Sequence, residues 1–220
     1  KGELPGFFIE RLTQPGDILD SDSLSTTLSV EQDLGPDWSL VASLQDYRYD
    51  ERLVEHRIDR FLSDTEISLR YGDRDTEAEV RSGTVYLTGM FETGALMHRL
   101  VAGVDHADSD TFSRDFSARN VGVFDILNPA YIDRDVTSYP LAESSSSPYG
   151  GTLATTGYYL QDQISVGSWE VLAGLRYDRF SPETLDGGAR FDNEGGNELS
   201  PRLGVVYNLD DNRSVYASWI

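Results

Sequence analysis

Residues 109–152 hold the side chains best suited to binding an organic ligand. Their aromatic members are Phe112, Phe116, Phe124, Tyr131, Tyr139 and Tyr149. Aromatic rings bind organic groups by stacking and by burial of apolar surface. The arginines of the same segment, which suit anionic ligands because a guanidinium donates several hydrogen bonds in one plane, are Arg114, Arg119 and Arg134. The alternative for each aromatic residue taken singly is that it packs inside the protein.

Catalysis and metal binding find little support in the remaining residues. The histidines are His56, His98 and His106. None of them accompanies a serine or cysteine in a nucleophile motif. An acidic cluster comprises Asp105, Asp108, Asp110 and Asp115. It lacks the order of an EF-hand loop, so we interpret it as solvated charge, with a calcium site as the alternative. We therefore expect no catalytic residue, no metal site and no resident cofactor.

The composition restricts the class of protein. A net charge of -20 argues against binding to nucleic acid, because a phosphate backbone requires a basic face. An aromatic content of 11% over 220 residues is too high for a disordered chain. The sequence contains no cysteine and no run of about 20 apolar residues that would predict a membrane-spanning helix.

Apolar residues recur at every second position, which is typical of strands with one apolar face. In residues 168–180 one face carries Trp169, Val171, Ala173, Leu175 and Tyr177. Residues 198–208 and 22–32 alternate as cleanly. Less regular runs cover 37–50, 74–91, 95–108, 157–166 and 212–220. The pattern predicts about eight strands.

The connections between these strands alternate between short and long. The short ones are 33–37, 92–94, 167–168 and 209–212, and the long ones, polar and irregular, are 51–73, 109–152 and 181–197. Outer-membrane barrels have short periplasmic turns and long extracellular loops, whereas a soluble sandwich rarely carries such long loops.

Trp38, Trp169, Tyr177 and Tyr207 lie at strand ends, as in the aromatic girdles of such barrels. Asp162 is the exception on its apolar face, and indicates either a short embedded segment or a β-bulge.

Several stretches resemble the barrel of TonB-dependent siderophore receptors, the ferrichrome and hydroxamate-type group in particular. In family order they are LTGMFETG (87–94), HRLVAGVD (98–105), FDILNPAY (124–131), GYYLQDQI (157–164), GLRYD (174–178), LSPRLGVVY (199–207) and DNRSVYAS (211–218). The resemblance covers most of residues 74–220. It implies an all-β fold, an antiparallel transmembrane β-barrel segment in the bacterial outer membrane. Residues 1–220 would supply about eight of roughly 22 strands, without the plug domain and the strands that close the barrel.

The resemblance also implies a function and partners. We expect TonB-energised uptake of ferric siderophores, with iron arriving inside the ligand, and contacts with the receptor's own plug domain, the TonB complex and outer-membrane lipid. Cobalamin, haem or a glycan could be the cargo instead, and a porin or an enzyme barrel remains an alternative. The candidate ligand-binding residues at the extracellular mouth are Tyr47, Tyr49, Phe124, Tyr131, Tyr139, Tyr149 and Arg179. The candidate plug-contacting residues of the lumen are Arg99, Arg176 and Arg202.

Overall fold

A single antiparallel sheet makes up most of the computed structural model, which describes residues 14–132 and 135–219. Its strands are β1 (Ile18–Asp33), β2 (Trp38–Phe61), β3 (Glu66–Thr93), β4 (Leu96–Asp125), β5 (Ala142–Glu143), β6 (Tyr149–Val166), β7 (Trp169–Asp186), β8 (Ala189–Asp192), β9 (Gly196–Asp210) and β10 (Arg213–Trp219). A 3-10 helix, Val136–Ser138, lies between β4 and β5. The described residues contain no helix long and apolar enough to cross a membrane.

Eight strands follow one another across the sheet in chain order, and the short β5 and β8 pair with β4 and β7. The predicted all-β, antiparallel architecture is therefore confirmed. The tight turns 34–37, 94–95, 167–168 and 211–212 all lie at one edge of the strands, which we call the lower edge. Gly94 and Gly167 have φ of 64° and 55° there, a conformation that glycine adopts without steric cost.

The long connections are shorter than the sequence predicts. Residues 51–73 are almost entirely strand, because β2 and β3 stay paired up to Phe61 and Ile67. In residues 181–197, β7 continues to Asp186 and β8 folds back on it. Only the central part of 109–152, residues 126–132 and 135–148 of the described chain, leaves the long strands. The prediction was wrong because charged residues such as Arg52, Glu55 and Arg57 are interspersed with the apolar ones of these extensions, so no clean apolar alternation marks the backbone pairing there.

The pairing register places most of the apolar residues in the lower part of the long strands on one face, which we call the outer face. One row across it, at mid-height, runs from Leu40 through Leu87 to Ala102. The apolar part of β7 extends over eight residues from Trp169 to Tyr177, about 26 Å at ~3.3 Å per residue. With a strand tilt of about 40° this spans ~20 Å of height, close to the apolar band of a membrane barrel. We call this part of the outer face the apolar band.

Aromatic rings line the lower margin of the apolar band. Trp38 stacks on Phe91 with ring centroids 6.2 Å apart, and Phe91 stacks on His98 at 4.6 Å. Trp169 packs against Tyr207 at 4.6 Å. Amphipathic rings prefer the headgroup level of a membrane, so this row corresponds to an interfacial girdle.

Asp162 contacts this girdle through His98. The register of β6 with β4 and β7 is uninterrupted, so the β-bulge considered from the sequence is absent from this strand. Asp162 pairs with Leu100 of β4 and with Ala173 of β7, within the run from Trp169 to Tyr177. Its Oδ2 lies 2.7 Å from Nδ1 of His98, whose Nε2 lies 2.7 Å from Oγ1 of Thr93. The other alternative drawn from the sequence, a short embedded segment, stays a prediction.

A compact apolar core lies at the opposite, upper end of the strands. Residues 126–132 and 135–141 fold back there onto the extensions of β2, β3 and β4. The buried residues of this core are Val54, Ile67, Leu69, Tyr71, Ala118, Val121, Phe124, Ile126 and Tyr139. Ile132 and Val136 pack against it from the connecting segment. This core fixes the upper ends of the three longest strands as one unit.

Candidate functional site

The inner face, opposite the apolar band, carries the polar side chains of the sheet. Near its lower edge, Arg202 donates a hydrogen bond to Oε1 of Gln161. Ser165 donates to Oε2 of Glu170 at 2.6 Å. Arg99 is exposed and makes no hydrogen bond or ion pair within the part of the chain that the structure describes. This lower part of the inner face therefore carries exposed arginine donors.

A charged cluster lies above it, at the height of the upper margin of the band. Arg176 donates to both carboxylate oxygens of Asp105 at 2.9 Å, and its Nε lies 2.9 Å from both oxygens of Asp178. The guanidinium lies along the sheet, because a Cβ at Gly157 would be only 2.1 Å from its Nη2. Glycine is required at that position for the close approach. We call Asp105, Arg176 and Asp178 the arginine fork.

Above the arginine fork, three successive rows of inner-face residues carry no acidic or basic side chain. The rows run across β1, β2, β3, β4, β6 and β7, and we call them the uncharged wall. The lowest row is Thr27, Gln45, Ser82, Ala107, Thr155 and Phe180. The next rows are Ser25, Tyr47, Val80, Ser109, Leu153 and Pro182, and then Ser23, Tyr49, Ala78, Thr111, Gly151 and Thr184. Hydroxyl groups, small side chains and aromatic rings make up most of this surface.

A second charged group closes the uncharged wall from above. Nη2 of Arg74 lies 3.6 Å from Oε1 of Glu51, and Arg74 is hydrogen-bonded to Tyr149. Asp115 is the register partner of Arg74 on β4. Tyr49 donates to Oε2 of Glu51 at 2.6 Å, and this hydrogen bond raises the pKa of Tyr49. The phenol therefore stays protonated at neutral pH.

The TonB-dependent receptor-like β-barrel family model matches residues 5–220, which is nearly the whole chain. The chain belongs to this family. Barrels of TonB-dependent receptors lie in the bacterial outer membrane, so the inner face described above is the lumen side and the apolar band faces lipid. The ferrioxamine B receptor of Salmonella typhimurium is 30% identical over 166 residues, which are 72% of this chain and 22% of that receptor. The chain thus spans about a fifth of the length of this relative.

Solved receptor structures share the fold. The siderophore receptor PiuA from Acinetobacter baumannii superposes with a TM-score of 0.78 at 18% identity, over 92% of this chain and 32% of that one. The ferric-catecholate import receptor Fiu from E. coli also has a TM-score of 0.78 at 18% identity, over 93% of this chain and 36% of that one. At this identity the likeness establishes the architecture alone: the chain is an arc of a larger receptor barrel.

Three of the tyrosines predicted to bind ligand lie together on the lumen side of the receptor arc. Tyr47 and Tyr49 belong to the uncharged wall, and both are half-buried. Tyr149 lies one row above, bound to Arg74. Arg74 lies between Tyr149 and Glu51, and Glu51 in turn accepts a hydrogen bond from Tyr49. The predicted role of these tyrosines in ligand binding stays a prediction, now with a common location.

Two other aromatic candidates are buried instead. Phe124 and Tyr139 are 2% and 6% exposed within the upper core. The Tyr139 hydroxyl lies 3.2 Å from Nε2 of His56, and Nδ1 of His56 lies 2.6 Å from Oδ1 of Asp17. Both rings therefore pack inside the protein, which is the alternative that the sequence analysis gave for each aromatic residue. A ligand would reach them only if the core opened.

The remaining candidates lie away from the uncharged wall. Tyr131 is 66% exposed in the segment after β4. Arg179 follows Tyr177 on the outer face, in register with Thr156 and Asn197. Arg114 pairs with Glu143, and Arg119 with Asp59, whereas Arg134 lies outside the described residues. Each described arginine of residues 109–152 thus pairs with a carboxylate while its guanidinium remains exposed.

Glu51 and Arg74 are site residues that the sequence analysis missed. A signal for them exists in residues 73–82, DRDTEAEVRS, where charged side chains recur at the odd positions and uncharged ones at most even positions. This is a period of two in charge rather than in hydrophobicity, and it predicts a strand with one charged face. Arg74 stands out because it is a charge on the uncharged side.

Proposed function

We propose that the whole receptor, of which this chain forms an arc, takes up ferric siderophores across the outer membrane with energy from TonB. The observation that carries the proposal is the uncharged wall, which exposes phenol and hydroxyl groups on the lumen side above the membrane level. Such groups bind the organic shell of a chelate by stacking and hydrogen bonds. Family membership and the names of relatives, receptors for ferrioxamine and other siderophores, support it.

Uptake of radioactive iron by the full-length receptor tests this proposal. The host is iron-starved and lacks its own siderophore receptors, and it is supplied with hydroxamate, catecholate and carboxylate chelates in turn. We expect accumulation of at least one chelate, abolished in an otherwise identical strain without TonB. Absence of uptake for every chelate, with the receptor confirmed in the outer membrane, would redirect the function to another nutrient such as cobalamin, haem or a glycan.

For the plug domain, we propose that Arg99 and Arg202 provide contacts in the lower lumen. Arg99 has all of its donors available among the described residues, and Arg202 uses one on Gln161. Arg176 is less suited to this role than the sequence predicts, because the arginine fork already occupies its donors.

Photo-crosslinking tests the plug contact. A photoreactive amino acid at position 99 is expected to yield cross-links to plug peptides, identified by mass spectrometry of the purified receptor. The same amino acid at position 100 is the matched control, since Leu100 is adjacent in sequence but faces lipid. Equal plug cross-linking from both positions would contradict the assignment of the two faces.

A further inference from the structure

A groove crosses the outer face at the upper margin of the apolar band, where Gly83 leaves the sheet without a side chain. Gly83 lies in one row between Leu44 of β2 and His106 of β4, and Leu28 of β1 follows Leu44 in that row. The groove has a volume of about 790 Å³, within the range of small-molecule sites. Its other apolar lining residues are Ala42, Val85 and Val104. The floor of the groove is therefore mostly hydrocarbon.

Ion pairs hold the side chain of Arg81 on the upper side of the groove. Arg81 donates a hydrogen bond to Oε1 of Glu79, and its Nε lies 3.4 Å from Oδ2 of Asp46. Glu79 precedes Arg81 by two residues on the same face of β3, whereas Gly83 follows it by two. The guanidinium is therefore directed away from Gly83, and the groove stays open.

Negative charge exceeds positive charge on the outer face above the groove. The four rows upward from Gly83 hold nine carboxylates and four arginines between β1 and β9. They are Asp22, Asp46, Asp50, Glu77, Glu79, Asp108, Asp110, Glu183 and Asp192, with Arg48, Arg81, Arg179 and Arg190. The next row is balanced, with Asp20 and Asp75 beside Arg52 and Arg114.

Asp108 is the carboxylate of the groove without an arginine partner. Its Oδ2 lies 3.1 Å from Nε2 of His106, and no arginine pairs with Asp108 or Asp110 among the described residues. Asp46, the other carboxylate that lines the groove, contacts both Arg48 and Arg81. The rim at Asp108 therefore favours a cationic group and disfavours an anionic one.

The groove opens onto lipid. Val85 and Val104 lie on the face that adjoins the membrane, and both line the groove. The tight turns of the lower edge are periplasmic in such barrels, so the upper margin lies at the outer leaflet. Hydrocarbon chains gain little by moving from a bilayer to an apolar protein surface, because lipid tails are as apolar as leucine. A preference among lipids must therefore come from the fit of a chain to the groove and from the headgroup at the rim.

We propose that the groove binds one acyl chain of an outer-leaflet lipid whose headgroup carries an amine. The chain lies against Leu44, Gly83 and Val85, and the ammonium group donates hydrogen bonds to Asp108. A lipid with an anionic headgroup fits the groove through its chain but meets the excess negative charge above it. The site is separate from the lumen, so its failure would leave the proposed transport function intact.

Native mass spectrometry of the full-length receptor tests the proposal. The receptor is equilibrated in nanodiscs of equal parts phosphatidylethanolamine and phosphatidylglycerol with the same acyl chains, and the lipids that stay bound after release are identified. We expect phosphatidylethanolamine to be retained about 3- to 10-fold more often. Equal retention, or an excess of phosphatidylglycerol, would overturn the preference for an amine. A receptor dimer without retained lipid would overturn the site, because a second copy would then cover the groove.

Two variants separate the contribution of the groove from that of the rim. Gly83→Leu fills the groove, and we expect at least about a threefold loss of retained phosphatidylethanolamine. Its control is Ala102→Leu, which adds similar bulk to the outer face outside the groove. Asp108→Asn should bring the retention of the two lipids within about twofold of each other. Its control is Asp192→Asn, which removes a carboxylate of the same face on β8 and should leave the preference unchanged. Equal effects in a variant and its control would overturn the assignment.

Labelling of the unaltered receptor does not depend on how the variants fold. Phosphatidylethanolamine with a photoreactive diazirine in its acyl chain is expected to label the peptides that carry Leu44 and Val85. Peptides that carry Leu160 and Leu175, elsewhere on the apolar face, should be labelled at least about threefold less. Unlabelled phosphatidylethanolamine should compete for the first two peptides more strongly than phosphatidylglycerol does. Uniform labelling over the apolar band would overturn the site.

Discussion

The outer and inner faces of β2, β3 and β4 differ sharply at the same height above the apolar band. The outer face alternates acidic and basic residues, with Arg81 bound to Glu79 and 3.4 Å from Asp46. The inner face of the same rows is uncharged. Both faces are open to water in the arc, so burial does not explain the difference. In the proposed receptor, the outer face at this height would adjoin lipid headgroups, and the inner face would adjoin cargo and plug.

The largest effect should come from placing a charge on the lipid side. Leu87→Arg puts a guanidinium near the centre of the apolar band, and we expect a loss of about 2–4 kcal/mol in the free energy of unfolding in lipid vesicles. Thr88→Arg is the control, because Thr88 is the next residue in the chain and lies on the inner face. We expect it to lower the free energy of unfolding by less than Leu87→Arg does. Equal losses would show that the two faces are not distinguished by lipid.

A smaller effect is expected inside the lumen, at the arginine fork. Arg176→Met leaves Asp105 and Asp178 without their partner. These side chains are more than a third exposed, so solvent screens the repulsion and we expect a loss of only about 1–2 kcal/mol. Restoration of stability in the double variant Arg176→Met with Asp105→Asn would confirm the cause. If the double variant is less stable than the single one, repulsion is not the reason.

The tyrosine hydroxyls of the uncharged wall should matter for capture more than for stability. Removing one neutral hydrogen bond costs about 0.5–1.5 kcal/mol, or roughly 2- to 10-fold in affinity. We therefore expect Tyr47→Phe and Tyr49→Phe to raise the half-saturating chelate concentration for uptake by this factor, with normal receptor abundance. If the half-saturating concentration is unchanged in both variants, the hydroxyl groups of Tyr47 and Tyr49 do not contribute to chelate binding.

The smallest effect is expected for Arg179, a ligand candidate by sequence that lies on the outer face. Arg179→Gln should alter chelate uptake less than about twofold and stability by less than ~0.5 kcal/mol. The measurement is the same uptake assay, with Tyr49→Phe beside it as a positive control. A larger loss of chelate uptake for Arg179→Gln than for Tyr49→Phe would indicate that the ligand contacts the outer face.

The apolar band could be predicted from the sequence, because lipid on one side imposes a hydrophobic period of two. Runs such as Trp169 to Tyr177 have no competing interpretation once the turns are recognised. Above the band the apolar residues are interspersed with charged ones, as in Arg52, Glu55 and Arg57 of β2. The paired strand segments in 51–73, 109–125 and 181–186 were therefore predicted as loops.

The candidate site was only partly predictable for a different reason. A tyrosine is equally suited to a lumen wall and to a buried core, so its type does not distinguish Tyr49 from Tyr139. The distinction depends on long-range packing, in which Tyr139 meets His56 and Tyr71 across more than sixty residues of chain. Arginines are similarly ambiguous, because Arg114 and Arg119 are neutralised by carboxylates that adjoin them only in the folded sheet.

The continuous pairing of β2 with β3 up to Phe61 and Ile67 has a consequence for the thermodynamics of capture. Residues in a paired strand have already lost their backbone entropy on folding. In the proposed receptor, the wall is therefore preorganised, and its side chains bind without an ordering cost from the backbone. In that receptor the connection between β4 and β6 would carry any such cost, because it leaves the paired strands, and stiffening it would tune affinity without altering the surface that recognises the cargo.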